Sequence, residues 1–116
     1  MVGGKKMEVV FEKDKTFREG DWGIKYLFRG PRLDCGVVYL KPGTNMGAHY
    51  HREVEETFFI LEGKGILKLN GEDIPVEAGM ALRVEPGERH DLCALDTPLR
   101  GIFVKVPYLP EDKVSC

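Results

Sequence analysis

The chain contains three histidines, and all of them lie in two short blocks that could bind a metal ion. His49 and His51 belong to the first block, and His90 ends the second. Side chains two residues apart on a β-strand point to the same face, so His49 and His51 can hold one ion together. His90 follows the Pro86-Gly87 turn, which brings a third imidazole to the start of a strand. A lone strand histidine is most often an ordinary hydrogen-bonded side chain, but a metal site accounts for all three.

A carboxylate close to the first block can complete the set of ligands. Glu56 lies five residues after His51, an odd step that would turn it to the opposite face of an unbroken strand. The polar residues 52–55 must therefore form a turn or bulge that resets the register. Phe58 with Ile60 and Phe59 with Leu61 are equally apolar, so the alternation leaves Glu55 and Glu56 open as the ligand.

Three neutral imidazoles and one carboxylate suit Mn, Fe, Co, Ni, Cu or Zn, and suit Ca or Mg poorly. We therefore expect one divalent transition-metal ion per chain, whose identity depends on cellular availability as much as on affinity. Four protein ligands on an octahedral ion leave two positions for water, oxygen or a chelating molecule. With one carboxylate, the site keeps about one net positive charge, which favours small hydroxy acids, oxo acids and sugars as ligands.

Three classes of function use such an ion. The first is a redox enzyme, a dioxygenase or an oxygen-dependent decarboxylase, and the second is an isomerase or lyase with the ion as Lewis acid. The third is a non-catalytic module that binds a small ligand or the metal. A general base for the second class would come from Tyr39, Lys41, Glu53 or Glu55. If the Arg83 side chain faces into the barrel, it could bind the carboxylate of a ligand, although strand alternation favours a solvent-facing side chain.

Short β-strands must position these residues. Runs rich in β-branched and aromatic residues lie between Gly and Pro turn signals, at positions 36–40, 57–61, 65–69, 80–84 and 101–106. Asn70-Gly71 is the strongest hairpin signal, because a type I′ turn needs positive φ at both central residues. No segment has a helical period over ten or more residues. The pattern predicts an all-β sandwich or barrel.

The first block resembles the first motif of the cupin family, G-x5-H-x-H-x4-E-x6-G, from Gly43 through His49, His51 and Glu56 to Gly63. This resemblance selects Glu56 over Glu55 as the carboxylate ligand.

The second block resembles the second cupin motif from Gly79 through Gly87 to His90. It departs from that motif at two positions, since Glu85 stands where proline is usual and Ala94 where asparagine is usual. The asparagine is not a metal ligand in the family, so its replacement leaves the metal prediction intact.

Fifteen residues separate Gly63 from Gly79, a spacing similar to that of small single-domain microbial cupins. The resemblance covers residues 37–106. It implies a jelly-roll β-barrel, commonly a homodimer, with His49, His51, Glu56 and His90 as metal ligands.

The length of 116 residues predicts a single domain over residues 1–116, with a barrel core at about 36–106. Met7, Val9 and Phe11 alternate in an N-terminal arm, residues 1–20, which is typical of a strand that covers a sheet edge of its own chain or of a partner. Apolar residues on both faces of several strands predict a homodimer, in which Phe59, Leu61 and Leu67 or their alternates are covered.

The charge and composition of the chain limit the kinds of partner that we expect it to bind. A net charge of −2 argues against nucleic-acid binding, and no apolar run has the length of a membrane span or a signal peptide. We therefore expect a cytoplasmic protein with a small-molecule ligand. Three cysteines without export signals predict reduced thiols. The absence of Gln, with only two Asn, resembles proteins from hot environments.

Overall fold

The computed structural model describes residues 7–116 and consists almost entirely of β-strands. The only helix in this part of the chain is a 3₁₀ turn, Glu12–Asp14, far too short to cross a membrane. The strands are β1 (Gly23–Arg29), β2 (Asp34–Leu40), β3 (His49–His51), β4 (Glu55–Glu62), β5 (Lys64–Leu69), β6 (Glu72–Glu77), β7 (Ala81–Val84), β8 (His90–Ala94), β9 (Leu99–Val106) and β10 (Lys113–Ser115).

The strands form two antiparallel sheets of five strands each, which confirms the all-β prediction. One sheet has the order β1-β2-β9-β4-β7, and the other has the order β10-β3-β8-β5-β6. Their inner faces enclose one apolar core, with Phe58, Phe103, Leu40 and Leu92 among its fully buried side chains. The two sheets therefore form the wall of a small barrel.

The burial of its side chains shows which face of β4 points into the core. Phe58 and Ile60 are fully buried, whereas Phe59 and Leu61 are 38% and 45% exposed. Leu67, which was expected to need a cover outside the barrel, lies in the core at 3% exposure. Its alternate positions on β5 face outward instead, because side chains two apart on a strand share a face.

The predicted turn chemistry is present at Asn70-Gly71. These residues join β5 to β6 with φ values of 49° and 85°, as a type I′ hairpin turn requires. The five predicted runs correspond to β2, β4, β5, β7 and β9. Cys35, Cys93 and Cys116 are free thiols, as predicted.

The N-terminal segment differs from the predicted strand arm. Residues 1–6 lie outside the described part of the chain, and residues 7–20 contain no strand beyond an isolated bridge between Phe17 and Gly20. Glu12 instead anchors this segment on β1, because its carbonyl and carboxylate oxygens each lie 3.0 Å from Nζ of Lys25. Pairing of the arm with a partner's sheet edge stays a prediction.

Candidate metal centre

The four residues selected from the two motifs meet between the sheets. His49 and His51 lie on β3, His90 begins β8, and Glu56 lies on β4 of the opposite sheet. His49 and His90 are direct cross-strand partners. All four residues are at most 5% exposed. Glu55, the alternative carboxylate, points outward.

The donor atoms of this cluster are close together. Oε1 of Glu56 lies 3.1 Å from Nε2 of His90, 3.4 Å from Nε2 of His51 and 3.8 Å from Nε2 of His49. The four candidate ligand atoms all lie within 4.8 Å of one another. Two donors on opposite sides of one ion are about 4.0 to 4.4 Å apart, twice a typical metal–ligand bond. The cluster therefore has the size of a single-ion site.

Backbone carbonyls fix the tautomer of all three imidazoles. The Nδ1 atoms of His49, His51 and His90 donate to the carbonyl oxygens of Gly47, Asp112 and Glu88, at 2.8, 3.2 and 2.9 Å. A carbonyl oxygen only accepts, so each Nδ1 carries a proton and each Nε2 of a neutral ring presents a lone pair. Three lone pairs and one carboxylate thus converge in a buried space, where they need a cation between them. The chemistry of this donor set fits a divalent ion.

Glu56 stays ionised in this environment. Burial alone raises its pKa, but the neighbouring histidines outweigh burial and hold the pKa well below its usual range. Of these, His51 and His90 lie within hydrogen-bond distance of Glu56. These bonds require protonated imidazoles when no ion is bound. Protonated imidazoles and a bound metal ion are therefore alternative sources of positive charge beside this carboxylate, so protons and the metal compete.

The loop between His51 and β4 is held by a residue that the sequence analysis missed. The Asp112 carboxylate accepts hydrogen bonds from the backbone N–H groups of Arg52, Glu53 and Val54, at 3.0, 2.7 and 2.9 Å. Burial raises the pKa of Asp112, and these three bonds outweigh burial and lower it. The loop is the predicted register reset, since β4 begins directly after it, at Glu55.

Asp91 holds the loop before His49 in a similar way. Its carboxylate accepts hydrogen bonds from Nδ2 of Asn45 at 2.7 Å and from the backbone N–H of Gly47 at 2.9 Å. Gly47 is the residue whose carbonyl orients His49. The backbone N–H of Gly87 donates to the carbonyl of His51 at 2.7 Å, which joins the Pro-Gly turn to β3.

The polar residues proposed as bases or clamps lie away from the cluster. Arg83 is 66% exposed and its Nε is 3.8 Å from Oε2 of Glu55, so both face solvent. Lys41 pairs with Asp21 at 2.6 Å on the surface. Tyr39 packs against Phe17, with ring centroids 6.0 Å apart, and Glu53 is exposed. None of these five predicted side chains adjoins the metal cluster.

Different polar residues lie beside it. Lys105 pairs directly with Glu56 across β9 and β4, and Lys113 pairs directly with His51 across β10 and β3. Burial lowers the pKa of Lys113, the positive charges of Arg18 and Lys105 lower it further, and Glu56 opposes them. No local spacing signal marks these residues, because strand pairing over long sequence distances brings them to the site.

The chain matches the family described as Cupin domain over residues 36–105. It is 30% identical over 81 residues to the tetracenomycin polyketide synthase protein TcmJ of Streptomyces glaucescens, a match covering 69% of this chain and 54% of that protein. It is 38% identical over 53 residues to the oxalate-binding protein of Thermotoga maritima, covering 46% and 44% of the two chains. The matches thus span about half the length of each relative.

The fold is also that of a solved protein. An uncharacterized conserved protein with a double-stranded beta-helix domain from Klebsiella pneumoniae superposes with a TM-score of 0.81 at 16% identity, covering 96% of this chain and 98% of that one. This likeness confirms the predicted jelly-roll barrel. The match over residues 36–105 shows that the chain belongs to the cupin family.

Proposed function

We propose that this chain binds one divalent transition-metal ion through His49, His51, Glu56 and His90 and binds a small oxygen-rich anion at that ion. The observation that supports the proposal is the convergence of three Nε2 atoms and the buried Glu56 carboxylate around one point, with every Nδ1 donating to a backbone carbonyl. Such an arrangement fixes ring orientation before a metal arrives.

We further propose that the site is that of a metal-dependent enzyme, of the dioxygenase or decarboxylase type or of the isomerase or lyase type. A bound ion would supply Lewis acidity, and iron or manganese would add redox chemistry. The chain's own residues hold the imidazoles in one tautomer, bury the donor atoms and place the positive charges of Lys105 and Lys113 nearby. Those charges favour an anionic ligand.

A non-catalytic binding module is the second candidate. The observation that favours it is the similarity to a protein named for binding oxalate, which is itself a small oxygen-rich anion. Both candidates share the same metal ligands and the same class of small molecule. They differ only in whether the bound molecule is converted.

One experiment separates them. The untagged protein is loaded in turn with Fe, Mn, Ni and Zn, and glycolate and oxalate are titrated into each form by calorimetry. Each mixture is then analysed for products with and without oxygen. Metal-dependent binding with turnover supports the enzyme, and metal-dependent binding without turnover in any form supports the binding module. Equal binding to the metal-free protein would contradict both.

A further inference from the structure

A small cavity lies beside the metal cluster and shares His51 with it. Its volume is about 40 Å³. The polar residues that line it are Tyr26, Asp34, His51, Lys105 and Lys113, and the apolar ones are Val54, Leu109 and Pro110. One water needs about 10 to 15 Å³ on this measure, so the cavity has room for about three water-sized groups. His51 belongs to both places, because it lines the cavity while its Nε2 faces Glu56.

Asp34 gives this cavity an unused hydrogen-bond acceptor. The residue is 2% exposed, and its buried Oδ1 accepts no hydrogen bond from any described residue. The nearest cationic group, Nε of Arg29, is 3.8 Å away, beyond hydrogen-bond distance. A buried acceptor without a hydrogen bond costs free energy of folding, so a donor from outside the chain that bonds to Oδ1 of Asp34 would be favourable.

The two lysines supply unused donors. Lys105 donates to the hydroxyl of Tyr26 at 2.7 Å, and an ammonium group has three N–H donors, so two of them remain for a ligand. Lys113 forms no ion pair within residues 7–116. The cavity thus combines two cationic donors with one anionic acceptor.

Most of the polar residues of this cavity lie outside the segment that matches the cupin family. Tyr26, Asp34 and Lys113 lie outside the segment that matches the cupin family, residues 36–105, and Lys105 is its last residue. The metal ligands all lie inside that segment. Strands β1 and β10 and the first residue of β2 therefore supply these polar side chains from outside the matched segment.

We propose that this cavity recognises the far end of the substrate, with Lys105 and Lys113 binding a carboxylate and Asp34 accepting a hydrogen bond from a neighbouring hydroxyl. The other end of the same molecule binds the metal, so the inference rests on the proposed function. The substrate class is a small hydroxylated dicarboxylate. An unbranched diol such as a sugar fragment gains no charge interaction with the lysines, and a simple dicarboxylate leaves Asp34 unsatisfied.

Three hydroxy acids test the inference on the zinc-loaded protein. Glycolate carries only a metal-binding end, malate adds a second carboxylate, and tartrate adds a further hydroxyl. Calorimetry should give the affinity order tartrate, malate, glycolate. Lys113→Met or Lys105→Met should weaken tartrate and malate about tenfold or more, the value of a charge-assisted hydrogen bond, and leave glycolate unchanged. The surface variant Lys41→Met is the matched control and should change none of them.

Asp34 is tested by selectivity and by stability together. Asp34→Ala should remove the preference for tartrate over malate while glycolate binds as before. Asp34→Asn should unfold at a temperature no lower than the parent protein, because it removes an unsatisfied buried charge. Tartrate affinity that is unchanged in both lysine variants would overturn the inference and leave the proposed function standing. Loss of glycolate binding in the parent protein would instead overturn the proposed function, and the inference with it.

Discussion

Glu55 and Glu56 are adjacent, but they face opposite sides of β4. Glu56 lies in the cluster with the three histidines, and Glu55 lies near Arg83 at the surface. Glu56→Gln should therefore lose bound metal, because an amide replaces the only anionic ligand. Glu55→Gln is the matched control and should retain one equivalent. Elemental analysis after desalting measures both, and metal loss in Glu55→Gln would show that the register is wrong by one.

Acid should release the metal. A histidine must be neutral to bind an ion, and its reference pKa is about 6.5, so metal retention should fall below about pH 6. Tight binding moves the loss further into acid, because the ion competes with the protons. Metal content after equilibration between pH 4 and pH 8 tests this expectation. Full retention at pH 4 would argue against imidazole ligands.

The sequence predicts the four candidate ligands that lie together in the structure, but not the residues beside them. His49 and His51 are two residues apart, so alternation alone places them on one face. The prediction of Glu56 depends on the motif resemblance, because both faces of β4 carry apolar residues in the sequence. Lys113 and Lys105 reach the site through pairing with His51 and Glu56, 62 and 49 positions away in the chain. No local pattern reports such pairing.

Among the structural elements, the loop between β3 and β4 depends most on a single distant side chain. The Asp112 carboxylate accepts three backbone hydrogen bonds from this loop. Asp112→Asn should lower the free energy of unfolding by about 2 kcal/mol at pH 7, since hydrogen bonds to a charged group are worth about 1.5 to 3 kcal/mol. Glu111→Gln is the neighbouring control and should change it by less than about 0.5 kcal/mol. Urea denaturation measures both.

The pH dependence of this effect follows from the lowered pKa of Asp112. A carboxylate with a depressed folded pKa stabilises the protein above its unfolded pKa, about 3.9, and loses that contribution as pH falls through the lower folded value. The stability difference between the parent and Asp112→Asn should therefore be full at about pH 6 and narrow below about pH 4. A difference that grows on acidification would contradict this assignment.

β1, β6 and β10 were not predicted, and the last two have physical reasons for being weak sequence signals. Four of the six residues of β6 are carboxylates or proline, a composition that suits only a sheet edge. β6 is indeed at an edge of its sheet. β10 has three residues and is defined by pairing with β3 rather than by its own pattern. The predicted strands have more apolar residues, and each adjoins a Gly or Pro turn signal.

In the whole molecule, the outer face of the sheet β1-β2-β9-β4-β7 exposes apolar side chains. Phe59 and Ile102 are cross-strand partners at its centre, 38% and 41% exposed. We predict that this face forms a homodimer, because a monomer would leave these side chains in water. Sedimentation at micromolar concentration should give a dimer, and Ile102→Glu should give a monomer. Leu95→Glu, at a 48% exposed apolar position outside the strands, is the control and should stay dimeric. A monomeric parent protein would refute the prediction.

X-ray absorption spectroscopy of the zinc-loaded protein tests the metal site most directly. Three imidazoles and one carboxylate predict only nitrogen and oxygen ligands, at about 2.0 to 2.2 Å, with the outer-ring scattering of three imidazoles. The free thiols of Cys35, Cys93 and Cys116 provide the competing outcome, because zinc bound by cysteine has sulfur at about 2.3 Å. A sulfur ligand, or fewer than three imidazoles, would contradict the assignment of His49, His51, Glu56 and His90 as the metal centre.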